Sequence, residues 1–140
     1  MTKQIEVFYD KRIVLVGGDG VVPGHLFCSF DGKGYTVRIT GGAEVSEHMS
    51  WNLFTALTQV RVDLEPEGLC PAVEGACRNV YPSRMALEMG GGRRAQRWAA
   101  TGRPRTVDIF DDVRAEEYGR LASVAEQLVW IKERRGQRHE

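Results

Sequence analysis

The chain has no net charge of either sign: 19 Lys or Arg stand against 19 Asp or Glu in 140 residues. That balance argues against binding nucleic acid through bulk charge, and equally against an acidic mimic of nucleic acid. No stretch approaches the roughly 18 to 20 apolar residues of a membrane span, so no membrane partner is expected. No apolar run of the signal-peptide kind follows Met1-Thr2-Lys3-Gln4-Ile5-Glu6. Cysteine is scarce and odd in number (Cys28, Cys70 and Cys77). Reduced, buried thiols and a cytoplasmic location are therefore expected. The three histidines (His25, His48 and His139) have no metal-ligand spacing with one another or with the cysteines. No metal and no cofactor is implied.

Standard catalytic and phosphate motifs are also missing. Gly17-Gly18-Asp19-Gly20 follows a strand-like run, but it is neither G-x-G-x-x-G opening a helix nor a P-loop ending in Gly-Lys-Ser/Thr. It reads as a loop. No G-x-S-x-G elbow surrounds Ser83. His25 and Cys28 lie three apart on one strand, so their side chains face opposite sides. The acids Asp108, Asp111 and Asp112, and the pair Glu116-Glu117, read as charged turns.

What is present is a complete set of small-domain elements, with 42% aliphatic and aromatic residues for a core. Residues 4–9 and 12–16 read as two strands joined by a tight loop at Asp10-Lys11. Residues 25–30 and 35–40 flank Asp31-Gly32-Lys33-Gly34 as a second hairpin. From Ser46 to Glu65 the apolar spacing changes to a helical one through Met49, Leu53, Ala56, Leu57, Val60 and Leu64, widened by Trp51 and Phe54. Ser46 or Ser50 is the expected cap and Pro66 the stop.

Residues 69–78 read as a further strand, weakened by Pro71 and Gly75. A short helix runs Arg84 to Met89 after Pro82-Ser83, closed by Gly90-Gly91-Gly92. Residues 93–100 and 105–110 form a hairpin around Thr101-Gly102-Arg103-Pro104. Residues 111–122 read as a loop with a helical turn. Ser123-Val124-Ala125-Glu126 is a capping box for a last helix, and Gly136 to Glu140 a frayed tail. The expected architecture is one α+β domain over residues 1–135, a mostly antiparallel sheet covered by two main helices and one short one.

The overall neutrality hides an asymmetry. Residues 1–70 hold six Lys or Arg and nine Asp or Glu, whereas residues 71–140 hold thirteen and ten. Between Arg78 and Arg97 lie Arg78, Arg84, Arg93, Arg94 and Arg97, with Glu88 the only acid. Consecutive glycines can expose backbone N–H groups in a nest, and guanidiniums beside it suit phosphate or carboxylate. Arg78, Tyr81, Ser83, Arg84, Gly91, Arg93 and Arg94 are therefore the candidate binding residues. Tyr81 and Trp98 are candidate interface anchors, provided that they are exposed. Aromatics on the first sheet (Phe8, Tyr9, Phe27, Phe30 and Tyr35) could stack RNA bases, but the acidic balance of that half makes nucleic acid an unfavoured partner.

The segment Asn79-Val80-Tyr81-Pro82-Ser83-Arg84-Met85-Ala86-Leu87-Glu88-Met89-Gly90-Gly91-Gly92 resembles one found in small, largely uncharacterised bacterial proteins, as do residues 107–111 and 123–127. No catalytic residue carries over from that resemblance. In size and acid–base balance the chain is also similar in type to bacterial immunity proteins, which bind and block a cognate toxin. These readings favour a non-catalytic, antitoxin-like protein-binding module with a protein partner such as a toxin. The alternative is a small enzyme or ligand-binding domain taking an anionic molecule at Gly90–Arg94. A pocket converging on Arg84, Arg93 and Asp108 would mark that alternative.

Overall fold

The computed structural model describes residues 4–41 and 44–137. Strand β1 (Glu6–Gly17) is continuous through Asp10-Lys11 and turns back at Gly18-Asp19 into β2 (Gly20–Phe30). The expected loop at Asp10-Lys11 is thus mid-strand: Asp10 faces Phe27, and Lys11 faces Leu26. The extra residue of a bulge at Phe8 disrupts the alternation that marked a strand end at residue 9. Pro23 is tolerated inside β2 because pairing with the next strand begins only at Gly24.

Strands β3 (Tyr35–Gly41) and β4 (Glu44–Ser50) complete an antiparallel meander. β4 replaces the start of the expected helix. Ser46 and His48 turn inward while Val45, Glu47 and Met49 face solvent, a period of two. The helix proper, α1, is Leu53–Leu64, capped by Asn52, whose side chain accepts from Thr55 N–H at 2.7 Å. Met49 and Trp51 lie outside it, 59% and 61% exposed. Ser46 and Ser50 are strand residues, and Pro66 ends the helix as expected.

Leu53, Phe54, Ala56, Leu57, Val60 and Leu64 of α1 pack on Ile13, Leu15, Leu26, Cys28, Val37 and Ile39 of the sheet. Each fully buried Leu or Ile contributes about 2 kcal/mol of burial free energy. Asp63 ties α1 to β4: its Oδ2 accepts from Ser46 Oγ at 2.6 Å and lies 2.6 Å from His48 Nε2. The opposite face of the sheet is mixed and solvated. There Arg38 sits over Phe27, and His25 pairs with Asp10.

The expected strand at 69–78 reduces to β5 (Cys70–Pro71), which pairs with Leu15 and Val16 at the sheet edge, and a 3-10 turn at Glu74–Ala76. Beyond it, β6 (Val80–Tyr81) leads into α2 (Arg84–Met89), and β7 (Arg94–Arg97) and β8 (Arg105–Asp108) form the expected hairpin in a second sheet, β6-β7-β8. Residues 115–120 form a 3-10 turn, as the loop reading allowed. Helix α3 (Val124–Gln137) opens on the capping box: Ser123 N–H donates to Glu126 Oε1 at 2.9 Å and Glu126 N–H to Ser123 Oγ at 3.1 Å. Residues 138–140 of the expected frayed tail lie outside the described residues, and α3 runs through Gly136. Arg134 lies over both Trp98 and Trp130, 5.4 and 5.8 Å from the ring centroids, which fastens the end of α3 to the second sheet. The architecture is α+β, with two antiparallel sheets and three α-helices among the described residues. None of these helices is long and apolar enough to cross a membrane.

Candidate functional site

Helix α2 is six residues long and buries none of them completely. Ser83 caps it, with Oγ accepting from Ala86 N–H at 3.1 Å. Leu87 packs against the core, whereas Met85 and Met89 are 69% and 82% exposed. A four-residue step places the two methionines on one side of the helix. This is a poor arrangement for stability alone, since it leaves two large apolar side chains in water.

The helix stands over the end of the first sheet and encloses a cleft of about 750 Å³. Its floor is aromatic: Phe8 and Tyr35 stack at 6.0 Å between centroids, and Phe30 supports Tyr35 at 4.5 Å. The bulge in β1 is what makes this floor. It lets Phe8 reach the cleft while the next residue, Tyr9, also turns inward to pair with Cys28. Leu53, Ser83, Met85, Ala86 and Met89 form the walls, and Glu6, Arg93 and Arg94 bring the charges.

The glycine run holds α2 in this position. Gly91 and Gly92 have φ of +67° and +75°, the left-handed conformation. A Cβ on Gly91 would lie 2.6 Å from Tyr35 Oη, and one on Gly92 would lie 2.9 Å from Asn52 Oδ1. Gly91 C=O accepts from Leu53 N–H at 2.6 Å. Gly90 and Gly92 N–H both donate to Ala86 C=O at 3.0 Å, and Arg93 N–H donates to Gly90 C=O at 3.5 Å. Three of the amides expected to form an anion nest are thus engaged in closing the helix.

The candidate residues separate. Ser83, Arg93 and Arg94 line the cleft, and Gly91 abuts its floor. Arg84 points away: its side chain is 91% exposed and paired with Glu88 at 3.5 Å. Arg78 donates to Gly119 C=O at 2.7 Å. Tyr81 packs edge-on against Phe54 at 4.9 Å, with Arg135 over its ring at 5.2 Å. Trp98 is only 7% exposed and cannot serve as a surface anchor. Arg97 is drawn inward to Glu74 at 3.2 Å, where Arg120 also binds at 3.0 Å.

Asp108 is occupied from three sides. Tyr9 Oη donates to its Oδ2 at 2.8 Å, Arg93 Nε lies 3.5 Å away, and Phe110 N–H donates to Oδ1 at 2.8 Å. Burial, with the Asp108 carboxylate next in effect, pushes the Tyr9 hydroxyl up to about 12, so it stays protonated and donating. Arg84, Arg93 and Asp108 therefore do not converge on one pocket. Arg93 rests over Phe8 at 5.5 Å from the ring centroid, and Arg94 is exposed with no ion pair among the described residues.

A second, smaller pocket of about 260 Å³ lies between the ends of α1 and α3, lined by Arg61, Glu65, Cys70, Ser123 and Glu126 among others. Its polar groups largely satisfy one another. Glu65 accepts from Val124 N–H, and Glu126 from Ser123 N–H. Burial raises the Cys70 thiol, with Arg61 opposing, so it is no activated nucleophile. No group of three or more His, Cys, Asp or Glu able to hold a metal occurs among the described residues.

The glycine–arginine run brings Ser83, Gly91, Arg93 and Arg94 to the cleft; the sequence singles out Phe8 and Tyr35 only as aromatics of the first sheet, and gives Glu6, Leu53, Met85 and Met89 no site role. The i, i+4 methionines on a helix too short to bury them were the available signal. Compared with known proteins, the chain matches no family model, and no curated protein matches it.

Proposed function

We propose that the protein is a non-catalytic binding module, of the bacterial immunity or accessory type, which docks a partner protein on the α2 cleft and so blocks or stabilises it. The observation that carries this reading is the pairing of two exposed methionines, Met85 and Met89, with an aromatic floor of Phe8 and Tyr35 beside Arg93 and Arg94. Aromatic residues, Met and Arg are the types enriched at protein interfaces. Methionine walls adapt to a partner surface better than branched side chains do. Val45, on the solvated face of the sheet, has Thr40 and Glu47 for neighbours, whereas Met85 and Met89 border a concavity.

The test is affinity capture from the native host with three baits: wild type, Met85→Glu/Met89→Glu, and Val45→Glu as a surface control. The reading requires a partner that the wild type and V45E retain and the double variant loses. For an immunity role, the wild type rescues cells expressing the captured toxin and the double variant does not. A partner held equally by all three baits rules out the cleft. The anionic-ligand alternative rests on Arg94, which has no ion pair among the described residues. It gains if inorganic phosphate or a nucleotide binds the wild type and not Arg94→Gln.

A further inference from the structure

Resting on that docking reading, we infer the chemistry of the docked segment: an apolar side chain next to a single carboxylate. The apolar part follows from the floor and walls, where Phe8, Tyr35, Leu53, Met85 and Met89 leave a concave apolar surface in contact with water. The carboxylate follows from the two arginines. Arg93 is held by Asp108 at its Nε and lies across Phe8, so the rest of its guanidinium remains for a ligand. Arg94 brings a second guanidinium to the same cleft, with no acid paired to it among the described residues.

Glu6 sets the limit to one negative charge. It lines the same cleft two residues before Phe8 on β1, the residue whose ring Arg93 overlies. A polyanion such as a nucleic acid strand, laid across the arginines and along β1, would run into that carboxylate, where like charges repel. The helix-closing bonds of Gly90, Gly92 and Arg93 also remove three backbone donors that a phosphate would need. A carboxylate asks less: one or two guanidinium donors suffice. The surface thus selects a protein segment with one acid beside an aliphatic or aromatic residue.

Methionine provides the readout, because Met49 is exposed on the far face of the sheet and acts as an internal control for Met85 and Met89. The protein is labelled at its methionine methyl carbons and titrated with a blocked leucine–aspartate peptide, a matched leucine–lysine peptide and inorganic phosphate, with NMR shifts recorded. The leucine–aspartate peptide is expected to shift Met85 and Met89 and leave Met49 in place. Arg94→Gln and Arg94→Glu are each expected to weaken it about tenfold. A normal Met49 signal verifies that each variant is folded. Shifts produced equally by the leucine–lysine peptide, shifts unaffected by both Arg94 variants, or no shift of Met85 and Met89 would each overturn the inference, as would phosphate alone reproducing them. Loss of capture by Met85→Glu/Met89→Glu together with a preference for the lysine peptide would sink this inference and leave the docking reading standing. Undiminished capture by that variant would remove both.

Discussion

Arg61 of α1 donates a hydrogen bond of 2.6 Å to Gln127 Oε1 of α3, 66 residues away in the chain and fully inside the protein. The same guanidinium donates to Gly75 C=O at 3.1 Å and Ala122 C=O at 2.9 Å. Gln127 Nε2 reaches the carbonyls of Gly75, Cys77 and Val80. Residues 72–80 have little regular structure; backbone N–H groups serve the carbonyls of Ala72, Val73, Glu74, Ala76, Cys77 and Asn79, and these two side chains add donors at Gly75, Cys77 and Val80. The second half of the chain, which carries α2, is thereby fastened to α1.

Removal of either partner should therefore be severe. Gln127→Ala strips hydrogen bonds from three buried carbonyls and from Arg61, and is expected to cost about 3 kcal/mol. Arg61→Met should cost a similar amount. The double variant should fall short of the sum by about 1 kcal/mol or more, because the second change no longer leaves a stranded group. Urea unfolding of the four proteins measures this, and strict additivity would show that the two residues act separately.

The glycines can be ranked by experiment. Gly91→Ala and Gly92→Ala place a Cβ against Tyr35 and Asn52 in a left-handed backbone and should each cost about 2 to 3 kcal/mol. Gly102→Ala meets nothing within 4 Å at a φ of +91° and should cost about 1 kcal/mol. Equal melting temperatures for all three variants would mean that the α2 seat is not tightly packed.

Thiol reactivity should be low in the native state. Burial pushes Cys28 and Cys77 up to about 12 and raises Cys70. At pH 8 a disulfide reagent should modify native Cys28 and Cys77 far more slowly than the unfolded chain, with half-buried Cys70 the first to react. Fast labelling of Cys28 would contradict its place in the core between β2 and α1.

Asp63 should contribute to acid sensitivity, as should Glu117 and Glu126, whose carboxyls are also held down by Arg120 and by Ser123. The hydrogen bond from Ser46, then the contact with His48, holds the Asp63 carboxyl below the ordinary aspartate range. A group whose folded pKa is depressed stabilises above its unfolded value and loses that contribution as pH falls through the folded one. The stability difference between wild type and Asp63→Asn should thus be constant above about pH 5 and shrink as pH drops below about 4. A difference that grows on acidification would reverse the sign of the linkage.

Locally encoded elements were legible in the sequence. The capping box of α3, the Ser83 cap and glycine stop of α2, and the β7–β8 hairpin each depend on residues within a few positions of one another. The errors arose where a distant strand decides. Asp10-Lys11 has turn chemistry, but eleven pairings with β2 carry the chain straight through it. Met49 fits the helical stripe of Leu53 and Leu57 by spacing, yet pairing with Thr36 holds it in β4. The cleft was half legible for the same reason. Its arginines and glycines are contiguous, whereas Phe8 and Tyr35 join them only through the fold and the bulge in β1.

The most direct test of the docking face uses a photo-crosslinking residue in place of Met89, with the same residue in place of Val45 as control, in the native host. The account predicts one discrete adduct of higher mass from position 89 and none from position 45. An adduct from position 45 alone, or none from position 89 while the wild type still captures a partner, would place the interface elsewhere and contradict it.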